Sequence, residues 1–166
     1  MKKLFIIAII GWMSVMVADA QIVGFNGGYS FEMNHGIHPN RTSFSIDYME
    51  SHGVFGFGTE FPSSYDKRFQ LNLHGGLGWY WNDFMLSPLL ELAYNTAGAP
   101  SEEESVYKAK AGVSVGAGLL AEYKIVGPLG VWTKLRWLSP VGFDPVSFGP
   151  GGTTTFAIGL TMYWFR

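Results

Sequence analysis

Polar and apolar side chains alternate along most of this chain of 166 residues. The pattern is clearest in residues 107–124, YKAKAGVSVGAGLLAEYK, where every charged residue and every glycine holds an even position. Every odd position carries an apolar or aromatic side chain. Because successive side chains of a β-strand point to opposite faces, the alternation predicts a strand with one apolar and one mixed face.

Eight segments repeat this pattern, which predicts an all-β chain without a strong amphipathic helix. Short connections alternate with connections that are mostly longer, as expected for strands joined by hairpins. Asn82 and Asp83 fit a two-residue hairpin turn. The predicted strands are residues 21–32, 42–50, 54–61, 68–81, 84–96, 107–124, 128–138 and 153–165.

Two architectures fit eight alternating strands. A secreted soluble sandwich would bury the apolar face, whereas a membrane barrel would turn that face to lipid and line its lumen with the mixed face. The mixed face is rich in glycine and includes Tyr80 and Trp132, which a solvated face does not favour. A narrow lumen needs small and large side chains that interdigitate. The pattern therefore favours an eight-stranded antiparallel up-and-down transmembrane β-barrel.

Aromatic residues mark both ends of the apolar face, with mainly aliphatic residues between them. Such girdles are typical of membrane β-barrels at the two lipid–water interfaces. The residues predicted to form the girdles are Trp79, Trp81, Tyr94, Tyr107, Tyr123, Trp137 and Trp164.

The first 20 residues differ from the rest of the chain. Lys2 and Lys3 precede an apolar run, and Ala18-Asp19-Ala20 forms a small-x-small cleavage site. This order is typical of a secretory signal peptide, and an N-terminal membrane helix is the alternative. The prediction is a signal peptide over residues 1–20 and a barrel domain over residues 21–166.

Composition narrows the possible partners. Charged residues make up 14% of the chain, the formal net charge is −2, and no basic cluster occurs, so no nucleic-acid partner is expected. The chain has no cysteine, which leaves neither a disulfide framework nor a lipidation site.

The signal peptide, the eight strands and the closing segment TTTFAIGLTMYWFR together resemble the small eight-stranded outer-membrane proteins, the A- and X-type barrels. Only the closing segment approaches a motif, and it departs from the usual form because Phe165 is penultimate and Arg166 is last. The resemblance implies a location in the outer membrane, contact with lipid and lipopolysaccharide, and assembly by the outer-membrane barrel machinery.

Hairpin geometry predicts which residues face one another across neighbouring strands. If Trp81 lies opposite Phe84, then His74 lies opposite Glu91 in the lumen. The other predicted pairs are Gln70 with Asn95, Asp47 with Gly56, Ser43 with Glu60, Gly118 with Lys134 and Gly116 with Arg136.

Charges of both signs are expected to meet in this lumen. Because a buried unpaired charge is costly, hydrogen-bonded pairs are expected rather than isolated ions. Eight strands leave an interior that side chains can fill, so the sequence predicts a plugged lumen, with a narrow solute channel as an alternative. The predicted structural network comprises Asp47, Glu60, Arg68, His74, Glu91, Lys108, Lys110, Lys134 and Arg136.

Signals for a metal site are weak. His35 and His38 occupy one connection and three glutamates, residues 102–104, occupy another. Both patterns are more typical of solvated loops, so no metal and no cofactor is expected.

A catalytic site is a further alternative. His74 with Glu91 resembles two thirds of a hydrolytic triad, and Ser87 and Ser114 are possible third members. The resemblance makes a lipid-A-modifying enzyme, of the acyltransferase or deacylase type, the alternative function. Such an enzyme needs its catalytic groups near the outer leaflet, whereas these residues are predicted at mid-barrel. No enzymatic activity is therefore expected.

The predicted function is that of an integral outer-membrane barrel with a structural or surface-interaction role. The connection over residues 139–152 carries Phe143 and Phe148 among prolines and glycines. This loop is a candidate contact surface for a partner.

Overall fold

The structure describes residues 22–33, 38–50, 52–62, 69–96, 111–141 and 153–165, and these form eight antiparallel strands. The strands of this computed structural model are β1 Ile22–Glu32, β2 His38–Glu50, β3 Gly53–Phe61, β4 Gln70–Leu77 with Trp79–Trp81, β5 Phe84–Asn95, β6 Gly112–Val126, β7 Leu129–Pro140 and β8 Thr153–Phe165. The two parts of β4 belong to one strand, because the amide of Gly78 between them donates to the His52 carbonyl at 3.0 Å. The predicted signal peptide lies outside the described residues.

The sheet closes on itself into a barrel. Each strand pairs with the next along the chain, and β1 pairs with β8 over its whole length. Closure leaves no open edge, which is what the hydrocarbon of a membrane requires of a sheet. Within the part of the chain that the structure describes, no helix is long and apolar enough to cross a membrane. The predicted eight-stranded antiparallel barrel is confirmed.

Two of the three hairpin registers follow the prediction. Trp81 pairs with Phe84, and Asn82 in the turn between them has a positive φ of 53°, as a tight hairpin turn requires. Gln70 with Asn95, His74 with Glu91, Asp47 with Gly56 and Ser43 with Glu60 are all observed as partners. Short turns therefore fixed these registers.

The predicted register of β6 with β7 is wrong by two residues. Gly118 lies opposite Arg136, Gly116 lies opposite Leu138, and Lys134 faces Leu120. The strand continues past its predicted end to Val126, and the ladder shifts between Lys124 and Val126. This irregularity moves the turn towards the C-terminus. Because the slip is an even number, every side chain keeps its predicted face.

The mixed face lies inside the barrel and the apolar face outside. Asp47 has 0% of its surface exposed and Glu91 has 4%, whereas Leu90 and Leu160 are 76% and 67% exposed. A soluble sandwich would show the opposite distribution. The outer wall is thus an apolar surface of the kind that lipid covers.

Candidate functional site in the barrel lumen

The half of the lumen nearer the longer connections is crossed by a network centred on Glu60. This carboxylate is 2% exposed, and Arg41 Nη1 donates to its Oε2 at 3.3 Å. Arg136, on the far wall, donates through Nη2 to the other oxygen, Oε1. Arg41 also donates to Gln70 Oε1 at 3.2 Å and lies 3.8 Å from Glu32. One carboxylate therefore joins β2, β3 and β7 through the middle of the barrel.

A second carboxylate continues the network towards the centre. Glu91 on β5 lies 3.6 Å from Lys134 Nζ and 3.6 Å from Arg136 Nη1. Arg136 thus lies between two buried acids and reaches each with a different nitrogen. Such paired charges avoid the cost of an isolated buried ion.

His74 bonds to a residue other than its neighbour in the ladder. Its Nε2 lies 3.0 Å from Asp47 Oδ1, although Glu91 is its backbone partner on β5. Asp47 lies on β2 and His74 on β4, and on β3 between these two strands Gly56 is the ladder partner of both. A side chain there would overlap both the Asp47 carboxylate and the His74 ring. Because Gly56 has no side chain, His74 on β4 can reach Asp47 on β2 across β3.

The network continues to Glu122, which lies nearer the short turns. Asn26 Nδ2 donates to Asp47 Oδ2 at 2.6 Å and lies 3.4 Å from Glu122 Oε1. Tyr163 donates its hydroxyl hydrogen to Glu122 Oε2 at 2.9 Å. Glu122 is 2% exposed, and these neutral donors replace the water that it loses.

Apolar side chains surround Glu122, whose partners on the neighbouring strands are Met85 and Trp132. Met49 and Val54 flank the turn between β2 and β3, and Met85 follows the turn between β4 and β5. Trp132 is buried among them and donates from Nε1 to the Leu160 carbonyl at 3.1 Å. The buried apolar cluster of the lumen, of which Leu120 and Ala157 lie beside Lys134, is Met49, Val54, Met85, Leu89, Leu120, Trp132, Ala157 and Tyr163.

A small cavity lies inside the network. A cavity of about 10 Å³ lies beside Ser43, Asn72, Lys134 and Arg136. A single water needs about 10–15 Å³, so the cavity has room for about one water molecule. This water-sized space borders the charged groups.

The structure places six of the predicted network residues together in the lumen, and all six are buried: Asp47, Glu60, His74, Glu91, Lys134 and Arg136. Arg68, Lys108 and Lys110 lie outside the described residues.

Sequence reasoning missed four members of the network: Asn26, Arg41, Glu122 and Tyr163. Arg41 lies one residue before the predicted start of β2, and continuing the alternation by one step would have placed it in the lumen. Glu122 had the correct parity, but no neighbour along the chain indicated a partner for it.

The predicted girdle residues face outwards where the structure describes them. Trp79, Trp81 and Trp164 are exposed at the end with the short turns, and Tyr94 and Trp137 at the other end. Trp81 also stacks on Phe84 with ring centroids 6.0 Å apart. Tyr123 is exposed as well, and Tyr107 lies outside the described residues.

The contacts of His74 bear on the alternative of a hydrolytic triad. Its Nε2 is taken by Asp47, and its Nδ1 has no hydrogen-bond partner among the described residues. Ser87 Oγ contacts the carbonyl of Pro88 instead, at 3.5 Å. Neither Ser87 nor Ser114 is therefore placed to have its hydroxyl proton withdrawn by this histidine.

A metal-binding group of three or more histidine, aspartate or glutamate residues does not occur in the described ranges. The side chains of His35 and His38, and residues 102–104, lie outside them.

Tyr163→Phe is expected to lower the free energy of unfolding by about 1–3 kcal/mol, because it leaves a buried carboxylate oxygen of Glu122 without its hydroxyl donor. Urea titration of the protein refolded into lipid vesicles measures this change. Tyr123→Phe is the matched control, because Tyr123 is half exposed on the outer wall. Equal stability of the two variants would show that the Tyr163 hydroxyl contributes nothing.

No protein-family model and no curated protein matches the sequence. Solved structures do match. The N-terminal β-barrel domain of Pseudomonas aeruginosa OprF is 10% identical with a TM-score of 0.60, over 87% of this chain and 98% of that one. Yersinia pestis Ail, determined in a nanodisc, is 10% identical with a TM-score of 0.56, over 87% and 99%. Neisserial surface protein A is 9% identical with a TM-score of 0.52, over 87% and 96%.

The fold is that of the small outer-membrane β-barrels. Identities near 10% establish this similarity at the level of the fold. The exposed apolar wall and its aromatic ends agree with it, because they form the surface that a lipid bilayer requires. Both findings support the location in the outer membrane that the sequence predicted.

Proposed function

We propose that this chain is an integral outer-membrane protein with a structural or surface-interaction role, whose lumen is closed by its own side chains. The observation that carries the proposal is the Glu60 bridge, because this carboxylate accepts hydrogen bonds from arginines on two other strands. Nearer the short turns, buried apolar side chains such as Met85 and Trp132 surround Glu122. An ion crossing the barrel would have to break the Glu60 bridge and lose its water among these apolar side chains.

The wild-type protein is therefore expected to show no steady single-channel conductance in planar lipid bilayers. The physical reason is that Glu60 and Glu91, which could line an ion path, are paired across the lumen with Arg41, Lys134 and Arg136. A general-diffusion porin inserted into the same bilayer serves as the positive control. Reproducible conductance steps from the folded, heat-modifiable protein would contradict the closed lumen and favour the narrow channel.

A role as a lipid-A-modifying enzyme is the second candidate, since His74 and Asp47 form a buried pair as catalytic dyads do. We favour a non-enzymatic role because neither Ser87 nor Ser114 is bonded to Nδ1 of His74. The expected result is an unchanged mass spectrum of lipid A when the protein is expressed. Loss or gain of an acyl chain that depends on His74 would establish the enzyme instead.

The partners that fit this proposal are outer-membrane lipid, lipopolysaccharide, the barrel assembly machinery and a surface partner that contacts residues 139–152. A deletion strain tests the role. Envelope defects that are restored by the wild-type gene indicate a structural role. Loss of surface contact alone, restored by the wild-type gene but not by one with Phe143 and Phe148 changed to serine, indicates an interaction role.

A further inference from the structure

Two buried acids of the lumen, Asp47 and Glu122, have no lysine or arginine partner in the part of the chain that the structure describes. Glu60 and Glu91 do form such ion pairs. Asp47 contacts His74 instead, and Glu122 contacts the neutral amide and hydroxyl groups described above. With His74 left aside, the buried charged groups of the described residues are Arg41, Lys134 and Arg136 against Asp47, Glu60, Glu91 and Glu122. One negative charge is therefore in excess.

The side-chain amide of Asn26 lies between these two acids. Its Nδ2 is 2.6 Å from Asp47 Oδ2 and 3.4 Å from Glu122 Oε1. The two carboxyl oxygens are therefore no more than 6.0 Å apart, which is the sum of the two distances. Asp47 is 0% and Glu122 is 2% exposed, so solvent does not screen one from the other. Two carboxyl groups that share a buried site do not readily both ionise, because like charges repel strongly where water is excluded.

His74 is another group that could hold a balancing proton. Its Nε2 lies 3.0 Å from Asp47 Oδ1, and its Nδ1 is buried and makes no hydrogen bond with any described residue. A doubly protonated ring carries a hydrogen on each nitrogen, so one N–H would be buried without an acceptor. A neutral ring that donates from Nε2 leaves only a lone pair without a donor, which costs less. The geometry therefore favours a neutral His74 and leaves the proton to one of the two acids.

Of the two acids, Asp47 is held in the better site for an anion. One of its oxygens accepts a short hydrogen bond from Asn26, and the other is bonded to the imidazole ring. The same amide is 3.4 Å from Glu122, a distance at which a hydrogen bond is weak. The strand partners of Glu122 are the apolar side chains of Met85 and Trp132. A neutral carboxyl group costs less in such surroundings than a charged one.

We propose that Glu122 holds a proton at neutral pH, so that Asp47 and Glu122 form a proton-binding site of the folded barrel with a single negative charge. An exposed glutamate of the unfolded chain is ionised at this pH, so unfolding releases the proton and alkaline pH favours unfolding. The site lies towards the short turns, since β6 ends four residues later at Val126. The other titratable side chains on the lumen side of the surrounding strands are His74 and Tyr80 on β4, Glu91 on β5, Lys124 on β6, Lys134 on β7 and Tyr163 on β8.

Urea titration of the protein folded into lipid vesicles, between about pH 7.5 and pH 9, tests the proposal above the range of ordinary carboxyl groups and below that of tyrosines. Glu122→Gln resembles the protonated side chain, so its unfolding equilibrium constant at the lower pH should stay within about threefold of the wild-type value. With rising pH the wild-type constant should increase by up to about tenfold per pH unit more than that of Glu122→Gln. Glu91→Gln is the matched control, because Glu91 is as deeply buried but paired with Lys134 and Arg136. It should lose stability at the lower pH and keep the wild-type response to pH, and Glu32→Gln replaces it if it does not fold.

Infrared difference spectroscopy of the same folded samples locates the proton, because a protonated carboxyl group has a carbonyl stretch distinct from the bands of carboxylates. The wild type should show this band at neutral pH, Glu122→Gln should lack it, and Glu91→Gln should retain it. A band that persists in Glu122→Gln, the same response to pH in Glu122→Gln and the wild type, or a loss of stability as large as that of Glu91→Gln would overturn the proposal. Absence of the band from the wild type would do so even if no variant folds. These outcomes are independent of conductance and of the role of the protein in the envelope.

Discussion

Glu60→Gln is expected to lower the free energy of unfolding by about 3–5 kcal/mol. The substitution keeps the volume of the side chain but removes its charge, which leaves Arg41 and Arg136 without the carboxylate that both now share. Breaking a buried ion pair at one partner is costly because the other charge stays buried. Here one change affects two guanidinium groups on opposite walls of the barrel.

Urea titration of the protein folded into lipid vesicles measures the effect of Glu60→Gln on the free energy of unfolding. Glu32→Gln is the matched control, because Glu32 also lies near Arg41, at 3.8 Å, but a quarter of its side chain is exposed. A pair of that kind contributes about 0–1 kcal/mol. If the two variants lose the same stability, the Glu60 bridge does not hold the barrel shut and the proposed closure of the lumen loses its main support.

Gly116→Ala is expected to destabilise the barrel by more than about 4 kcal/mol, or to prevent it from folding. A β-carbon at this lumen-facing position would overlap the carbonyl oxygen of Trp137 on the neighbouring strand and lie 2.8 Å from the carbonyl carbon. Backbone atoms of a paired strand cannot move aside without breaking the ladder. Strands β6 and β7 would have to separate, and the open edge is costly in a bilayer.

The fraction of protein that resists detergent until it is boiled measures folding of this variant. Gly53→Ala is the matched control, because no atom lies within 4 Å of the β-carbon that it would add. The control should change stability by no more than about 1 kcal/mol. A Gly116→Ala protein that folds as completely as the control would show that β6 and β7 do not approach as closely as described.

Alternation within each strand was sufficient to predict the fold, because in a strand the parity of a residue decides its face. Segments such as 153–165 were assigned correctly from parity alone. Parity also separated lumen from lipid, since the charges and most glycines shared one face and most aliphatic residues the other. The short connections after Glu50 and Trp81 then fixed two registers, because short turns leave little freedom of pairing.

Parity could not predict the position of a residue along the barrel axis or its partner across the lumen. The third short hairpin was misplaced because Ile125 bulges out of the ladder before the turn at Gly127, which has a positive φ of 54°. Nothing in the alternation marks such an irregularity, since a shift by two residues leaves every face unchanged.

The sequence by itself therefore determined the strands, their faces and the lipid-facing wall, because these depend on local periodicity. Only the tertiary structure decided that His74 pairs with Asp47 and that Glu60 joins two arginines. Those contacts depend on the stagger between neighbouring strands of the closed sheet. They also depend on where the lack of a side chain, as at Gly56, lets two distant groups meet. The charged composition of the lumen could be predicted from the sequence, but its connectivity follows from the curvature of the closed sheet.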